Sequence, residues 1–129
     1  MTTLSVSEPV LVDSSGWLEY ITSDTKADLF APYFEKGIIL LVPTVVLYEV
    51  RKILLGRQRN TLADQFISAA SRCTVIPFDE KIALRAVAVS LDHRLAMADA
   101  IVYASAEANG AVLVTTDAHF SGLPGVTVL

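Results

Sequence analysis

A single cysteine, Cys73, stands in 129 residues. That excludes an internal disulfide and any cysteine-built metal cluster. Histidine is scarce too, with only His93 and His119. Basic residues are the minority, 10 Lys and Arg against 14 Asp and Glu, for a net charge of −4. A broadly basic nucleic-acid surface is thereby excluded, but not a local basic patch. No apolar run reaches membrane-spanning length. The longest, Ile38–Val46, is interrupted by Pro43 and Thr44 and followed by Glu49. The opening MTTLSVSEPV has neither the basic start nor the apolar stretch of a secretory leader. The expectation is a soluble cytoplasmic protein with no membrane association. Its length suits one domain, residues 1–129, with a proper core.

What the chain does have is apolar content, 53%, arranged around Leu91–Phe120. The small-residue stretch Ala96–Ala108 reads as a helix carrying one acid, Asp99, in mid-helix. Its neighbours three and four positions away are Leu95, Ala96, Val102 and Tyr103, all apolar or aromatic. A carboxylate there presses against a core, at a desolvation cost of several kcal/mol, roughly that of a buried ion after relaxation. A cation, hydrogen bonds or a proton must offset it. After an Asn109-Gly110 turn, Ala111–Val114 reads as a strand ending in Thr115, Thr116 and Asp117.

Upstream, Pro9–Val12 reads as a buried strand whose carboxyl end presents Asp13. Ser14 or Ser15 can cap the following helix, which holds Trp17, Leu18, Tyr20 and Ile21. Leu29–Lys36 reads as a helix stopped by Gly37, and Ile38–Val42 as a second buried strand. Pro43-Thr44 opens a helix to about Leu55, capped by Thr44, with Val46, Val50 and Ile53 as its apolar stripe. The next helix, Arg59 to about Ser71, turns Leu62, Phe66, Ile67 and Ala70 inward. Cys73–Ile76 is a third strand, and Asp79 caps a helix through Ser90. His119 and Phe120 start a short helical turn, and Val126–Val128 is the last strand. Alternating strands and helices argue a mostly parallel α/β sheet with helices on both faces.

In such sheets ligands bind outside the carboxyl ends of the strands. Asp13 and Asp117 would stand at that rim, and Glu49 and Asp99 can reach it from adjacent helices. Two unit charges about 4 Å apart repel by roughly 4 kcal/mol at an effective dielectric near 20. Clustered carboxylates therefore take up protons or a divalent cation. Oxygen donors without cysteine and with little histidine favour Mg²⁺ or Mn²⁺, ions that serve phosphodiester hydrolysis by activating water and stabilising the leaving oxygen.

Simpler readings stand beside these. Asp13 and Asp117 can each be a helix cap, and Glu49 can pair with Lys52. His119 reads as a helix-start residue and not a ligand, and His93 as solvent-facing. Trp17, Tyr20 and Tyr48 read as core, and Cys73 as a buried structural thiol. Arg51, Lys52, Arg57 and Arg59 are either a solvated face or a phosphate-contacting patch.

Taken together, LVDSSGWLEY (Leu11–Tyr20), PTVVLYEV (Pro43–Val50), LAMADAIVYASA (Leu95–Ala106) and LVTTDAHF (Leu113–Phe120) resemble the PIN domain. More narrowly, they resemble the VapC-type ribonuclease toxins of toxin–antitoxin pairs. The resemblance implies a three-layer α/β/α fold with a mostly parallel sheet of four to five strands. It implies Asp13, Glu49, Asp99 and Asp117 around one Mg²⁺ or Mn²⁺ site, with Thr115 orienting the last acid or a water. It also implies an RNA substrate, a homodimer, and a small antitoxin whose helix blocks the groove. Thr116 departs from the pattern, since many relatives carry a basic residue there. That leaves Arg51, Lys52, Arg57 and Arg59 as the candidates for RNA or antitoxin contact.

Other readings fit less well. A phosphohydrolase using Asp13 as nucleophile, like the haloacid dehalogenases, would carry an Asp where Ser15 stands. A phosphoacceptor receiver domain needs a late lysine, and none follows Lys81. A catalytically inactive PIN-like binding module would have no need of all four acids.

Overall fold

The structure, a computed structural model, describes residues 8–129. Five short strands build its sheet: β1 (Val10–Val12), β2 (Leu40–Pro43), β3 (Thr74–Ile76), β4 (Val112–Thr115) and β5 (Val126–Val128). They lie in the order β3-β2-β1-β4-β5, and every neighbouring pair is parallel. The expected parallel α/β sheet is thus present, with the larger of the two strand counts. Strands β1 and β2 are continuously apolar and buried, as parallel strands covered on both faces tend to be. Thr74 and Val75, on edge strand β3, are exposed.

Among the described residues six α-helices connect and cover the strands: α1 (Ser14–Ile21), α2 (Ala27–Phe30), α3 (Thr44–Gly56), α4 (Asn60–Ala70), α5 (Glu80–His93) and α6 (Met97–Ala108). Helix α3 packs on α4, and α5 on α6. Among the described residues, no helix is long and apolar enough to cross a membrane. From β1 the chain builds outward through β2 to β3, then returns to lay β4 on the other side of β1. That reversal opens a crevice beyond the carboxyl ends of β1 and β4.

Gly16 sets how closely α1 can approach the sheet. A Cβ built there would lie 2.5 Å from both Phe30 Cε1 and Val12 Cγ1. Real side chains do not tolerate that separation, so the first turn of α1 packs on β1 and α2 only because the residue is glycine.

Several local expectations are corrected. Leu29–Lys36 is not one helix: α2 ends at Phe30 and a 3₁₀ turn, Ala31–Phe34, follows. Pro32 removes a backbone donor and its ring crowds the preceding turn. Asp13, not Ser14 or Ser15, caps α1. Thr44 does not cap α3; its hydroxyl accepts the Phe78 N–H at 3.2 Å. Leu54 replaces Ile53 on the buried stripe of α3. In α4, Ala63 joins Phe66 and Ala70 in full burial, while Leu62 and Ile67 are only half-buried. Trp17 is core, wedged edge-on between Phe34 and Phe66. Tyr48 is exposed and Tyr20 partly so, stacked on Phe34. Cys73 is only half-buried, and that burial still pushes its thiol pKa up.

Candidate active site

Strand β1 ends in Asp13, which is 93% buried by its 7% exposure. Its Oδ1 accepts the Gly16 N–H at 3.1 Å and the Ser15 hydroxyl at 2.7 Å. Its Oδ2 accepts the Thr115 hydroxyl at 2.5 Å. Burial raises the Asp13 pKa above its ordinary value; the three hydrogen bonds pull the other way, and the Asp117 charge adds to the rise. The capping carboxylate thus also reaches across to β4, so a cap and a place at the crevice are compatible in one side chain.

Two hydroxyls tie this acid to β4. The Thr115 Oγ1, fully buried, donates to Asp13 and accepts the Asp117 N–H at 2.9 Å. The Ser15 Oγ donates to Asp13 and accepts the Thr116 N–H at 3.1 Å. Asp117 in turn caps the 3₁₀ turn Ala118–Phe120, its Oδ1 accepting the His119 N–H at 2.8 Å.

Helix α3 contributes Glu49, half-buried, whose Oε1 accepts the Ser14 hydroxyl at 2.7 Å. The alternative pairing of Glu49 with Lys52 does not form. The Lys52 ammonium sits 5.3 Å over the Tyr48 ring instead.

Asp99 comes from α6, and its position corrects the mid-helix expectation. The helix begins at Met97 with Ala96 at the cap, so Asp99 lies in the first turn. A negative charge there is favoured by the helix dipole. Its pKa is nevertheless raised, first by burial and then by the charges of Asp117, Glu49 and Asp13, with His119 opposing. Asp117 comes within 4.8 Å of Asp99, and its turn is tied through Thr115 to Asp13.

Ligand atoms of Asp99, Asp117 and His119 lie within 4.8 Å of one another. His119 Nδ1 is 3.0 Å from Asp117 Oδ1, although the ring is largely exposed. His119, expected to start the turn, is its second residue after Ala118; it also reaches the acids, which local pattern does not reveal. Ser14 and Ser15 were read only as caps. The signal available in the sequence was two consecutive hydroxyls directly after a strand-ending acid.

Among the described residues, no Lys or Arg forms an ion pair with any of the four acids. The basic residue that does pair, Arg51, bonds Asp64 at 3.2 Å and the Ala63 carbonyl. Arg51 is therefore committed to the α3–α4 contact, whereas Lys52, Arg57 and Arg59 are exposed. A cluster of carboxylate oxygens with no Lys or Arg paired to it among the described residues, and one exposed imidazole at its edge, has the donor chemistry of a hard divalent cation site.

Comparison with known proteins agrees with the fold. A toxin–antitoxin complex from Klebsiella pneumoniae superposes with a TM-score of 0.79 at 22% identity, covering 92% of this chain and 96% of that one. VapC20 of Mycobacterium tuberculosis, a toxin that cleaves the sarcin-ricin loop, gives 0.73 at 20% identity, covering 92% and 98%. VapBC2 from Rickettsia felis, bound to a DNA fragment from its promoter, gives 0.72 at 16%, covering 93% and 96%. No curated protein sequence matches the chain. The PIN domain family, however, matches residues 10–126. That span runs from the first residue of β1 to the first of β5, and on it this chain belongs to the PIN domain family.

Proposed function

We propose that residues 1–129 form one PIN domain acting as a Mg²⁺- or Mn²⁺-dependent endoribonuclease, the toxin of a toxin–antitoxin pair. One observation carries the reading: Asp99 and Asp117 approach within 4.8 Å, Asp13 is tied to the Asp117 turn through Thr115, Glu49 is held by Ser14 beside Asp13, and no Lys or Arg among the described residues pairs with these acids. The solved toxins and toxin–antitoxin complexes of the same fold support it.

Asp13, Glu49, Asp99 and Asp117 would hold the ion. When bound, a divalent cation supplies a lowered pKa for water and stabilisation of charge on the phosphate and leaving oxygen. The chain's own residues prepare that chemistry. Asp13 accepts three hydrogen bonds, leaving about one of its four acceptor sites, on Oδ2, for a cation. Thr115 holds that oxygen in place and orders the turn into Asp117. This engagement of both Asp13 oxygens also counts against the nucleophilic-aspartate alternative. Lys52, Arg57 and Arg59 remain the candidates for RNA phosphate or antitoxin contact; Arg51 is weakened as one by its bond to Asp64.

The protein works in the cytoplasm, where its RNA is, with a cognate antitoxin as partner and as a homodimer. The dimer has a face to use. Outside its buried stripe, α5 presents Leu84, Val87 and Leu91, all exposed, at heptad spacing i, i+3, i+7. Val87 and Leu91 border a groove of about 350 Å³ that Phe78, Met97 and Ile101 also line. A helix apolar on both sides is built for burial, and a stripe of this kind matches its own copy laid antiparallel.

The direct test is cleavage of RNA by purified protein with Mg²⁺ or Mn²⁺, and its arrest by chelator. Asp99→Asn should lower the rate roughly 100-fold or more, at or beyond the loss typical of altered metal sites. Metal-independent cleavage, or full activity in the variant, would overturn the reading.

A further inference from the structure

We infer that Ser14 is a positioning residue for Glu49, selecting the carboxylate orientation that Glu49 offers to the divalent cation. The inference rests on the metal-dependent reading above.

Ser14 is the first residue of α1, one past the cap position whose side chain serves the helix's unpaired N–H groups. Here that work is taken. Asp13 is the cap and accepts the Gly16 N–H. The Ser14 hydroxyl is free to reach across to another element, and it donates to Glu49 Oε1 at 2.7 Å, 35 positions away in sequence. A carboxylate can only accept, so the direction of the bond is not in question.

The contrast with Asp13 gives the bond its weight. Three donors hold Asp13, and both of its hydroxyl partners are themselves anchored by backbone N–H groups of the β4 exit. Among the described residues, Glu49 has one hydrogen-bond partner, Ser14. Its closest basic candidate along the helix, Lys52, is drawn to the Tyr48 ring. A glutamate side chain has several freely rotating bonds, and one tether occupies Oε1 while leaving Oε2 for the cation. Without the hydroxyl, Glu49 keeps its charge and its place on α3 but no longer a single orientation. Partners that orient a ligating group in this way typically affect metal affinity by about 10- to 100-fold. Glu49 is one of four acids, so the effect here sits at the low end.

The test is Mn²⁺ binding to RNA-free protein, followed by titration calorimetry. Ser14→Ala should weaken binding about 10-fold, and Ser14→Thr, which keeps the hydroxyl, should restore it. Ser14→Gly removes the same hydroxyl and serves if the alanine variant does not fold. Adding Ser14→Ala to Glu49→Ala should bring no further loss, because the positioned group is already gone. In cleavage assays the Mn²⁺ concentration for half-activation should rise while kcat at saturating Mn²⁺ stays near that of the wild type. Wild-type Mn²⁺ affinity in Ser14→Ala, or an equal added loss in the Glu49→Ala background, would overturn the inference alone. A wild-type protein that binds no Mn²⁺ would overturn the metal-dependent reading and this inference with it.

Discussion

Thr115 Oγ1 donates to Asp13 Oδ2 at 2.5 Å and accepts the Asp117 N–H at 2.9 Å, so one buried hydroxyl joins the ends of β1 and β4. The two residues are 102 positions apart. The bond holds one acid directly and shapes the turn that presents another.

Replacing that hydroxyl by a methyl of similar shape tests the link. Thr115→Val leaves the buried Asp13 oxygen and the Asp117 N–H short of a partner. Stability should fall by about 1–3 kcal/mol, the cost of orphaned buried polar groups. Thr115→Ser should recover most of it. Urea denaturation of the three proteins measures the difference.

The raised acids make a signed prediction about pH. Asp13 and Asp99 both titrate above their ordinary value of 3.8 when folded. Between the unfolded and folded values the native state therefore binds more protons than the unfolded one, and stability falls as pH rises. Their favourable contribution is complete below pH 3.8 and is lost as pH passes the folded values. In chelator, Asp99→Asn should be more stable than the wild type at pH 7, with the gap closing toward pH 4. Denaturation midpoints across that range decide it; a large loss of stability at pH 7 would make Asp99 a structural anchor instead.

Gly16→Ala forces a methyl to within 2.5 Å of Phe30 and Val12. Overpacking of this kind costs about 1–3 kcal/mol. Thermal unfolding should show the loss, and because Gly16 N–H also bonds Asp13, Mn²⁺ binding should weaken with it. An alanine variant as stable as wild type would mean that α1 can slide without cost.

The exposed stripe of α5 predicts the assembly. Leu84→Glu with Leu91→Glu should convert a dimer to a monomer in light scattering. The monomer's own unfolding should change little, since both side chains are exposed in the single chain. A wild-type protein that is monomeric at high micromolar concentration would remove the dimer proposal.

Much of this was written along the chain. The buried strands are short runs of Val and Leu, the helix ends carry Asp79, Gly110 or Pro43, and these local patterns place most elements to within two or three residues, Leu29–Lys36 excepted. Asp13 and Asp117 at strand ends, and Glu49 and Asp99 beside apolar stripes, are likewise readable, because chain order and strand polarity put them on one rim. Only the tertiary structure decided what each acid touches. The partners of Asp13 and Glu49 lie up to 102 positions away, and no periodicity encodes a contact over that distance. It also decided that Asp13 caps α1 while bonding Thr115 of β4, that Ser14 looks outward to Glu49, and that His119 reaches Asp117. Those outcomes follow from how closely α1 packs on β1 at Gly16 and where α6 begins, which are set by packing and not by local preference.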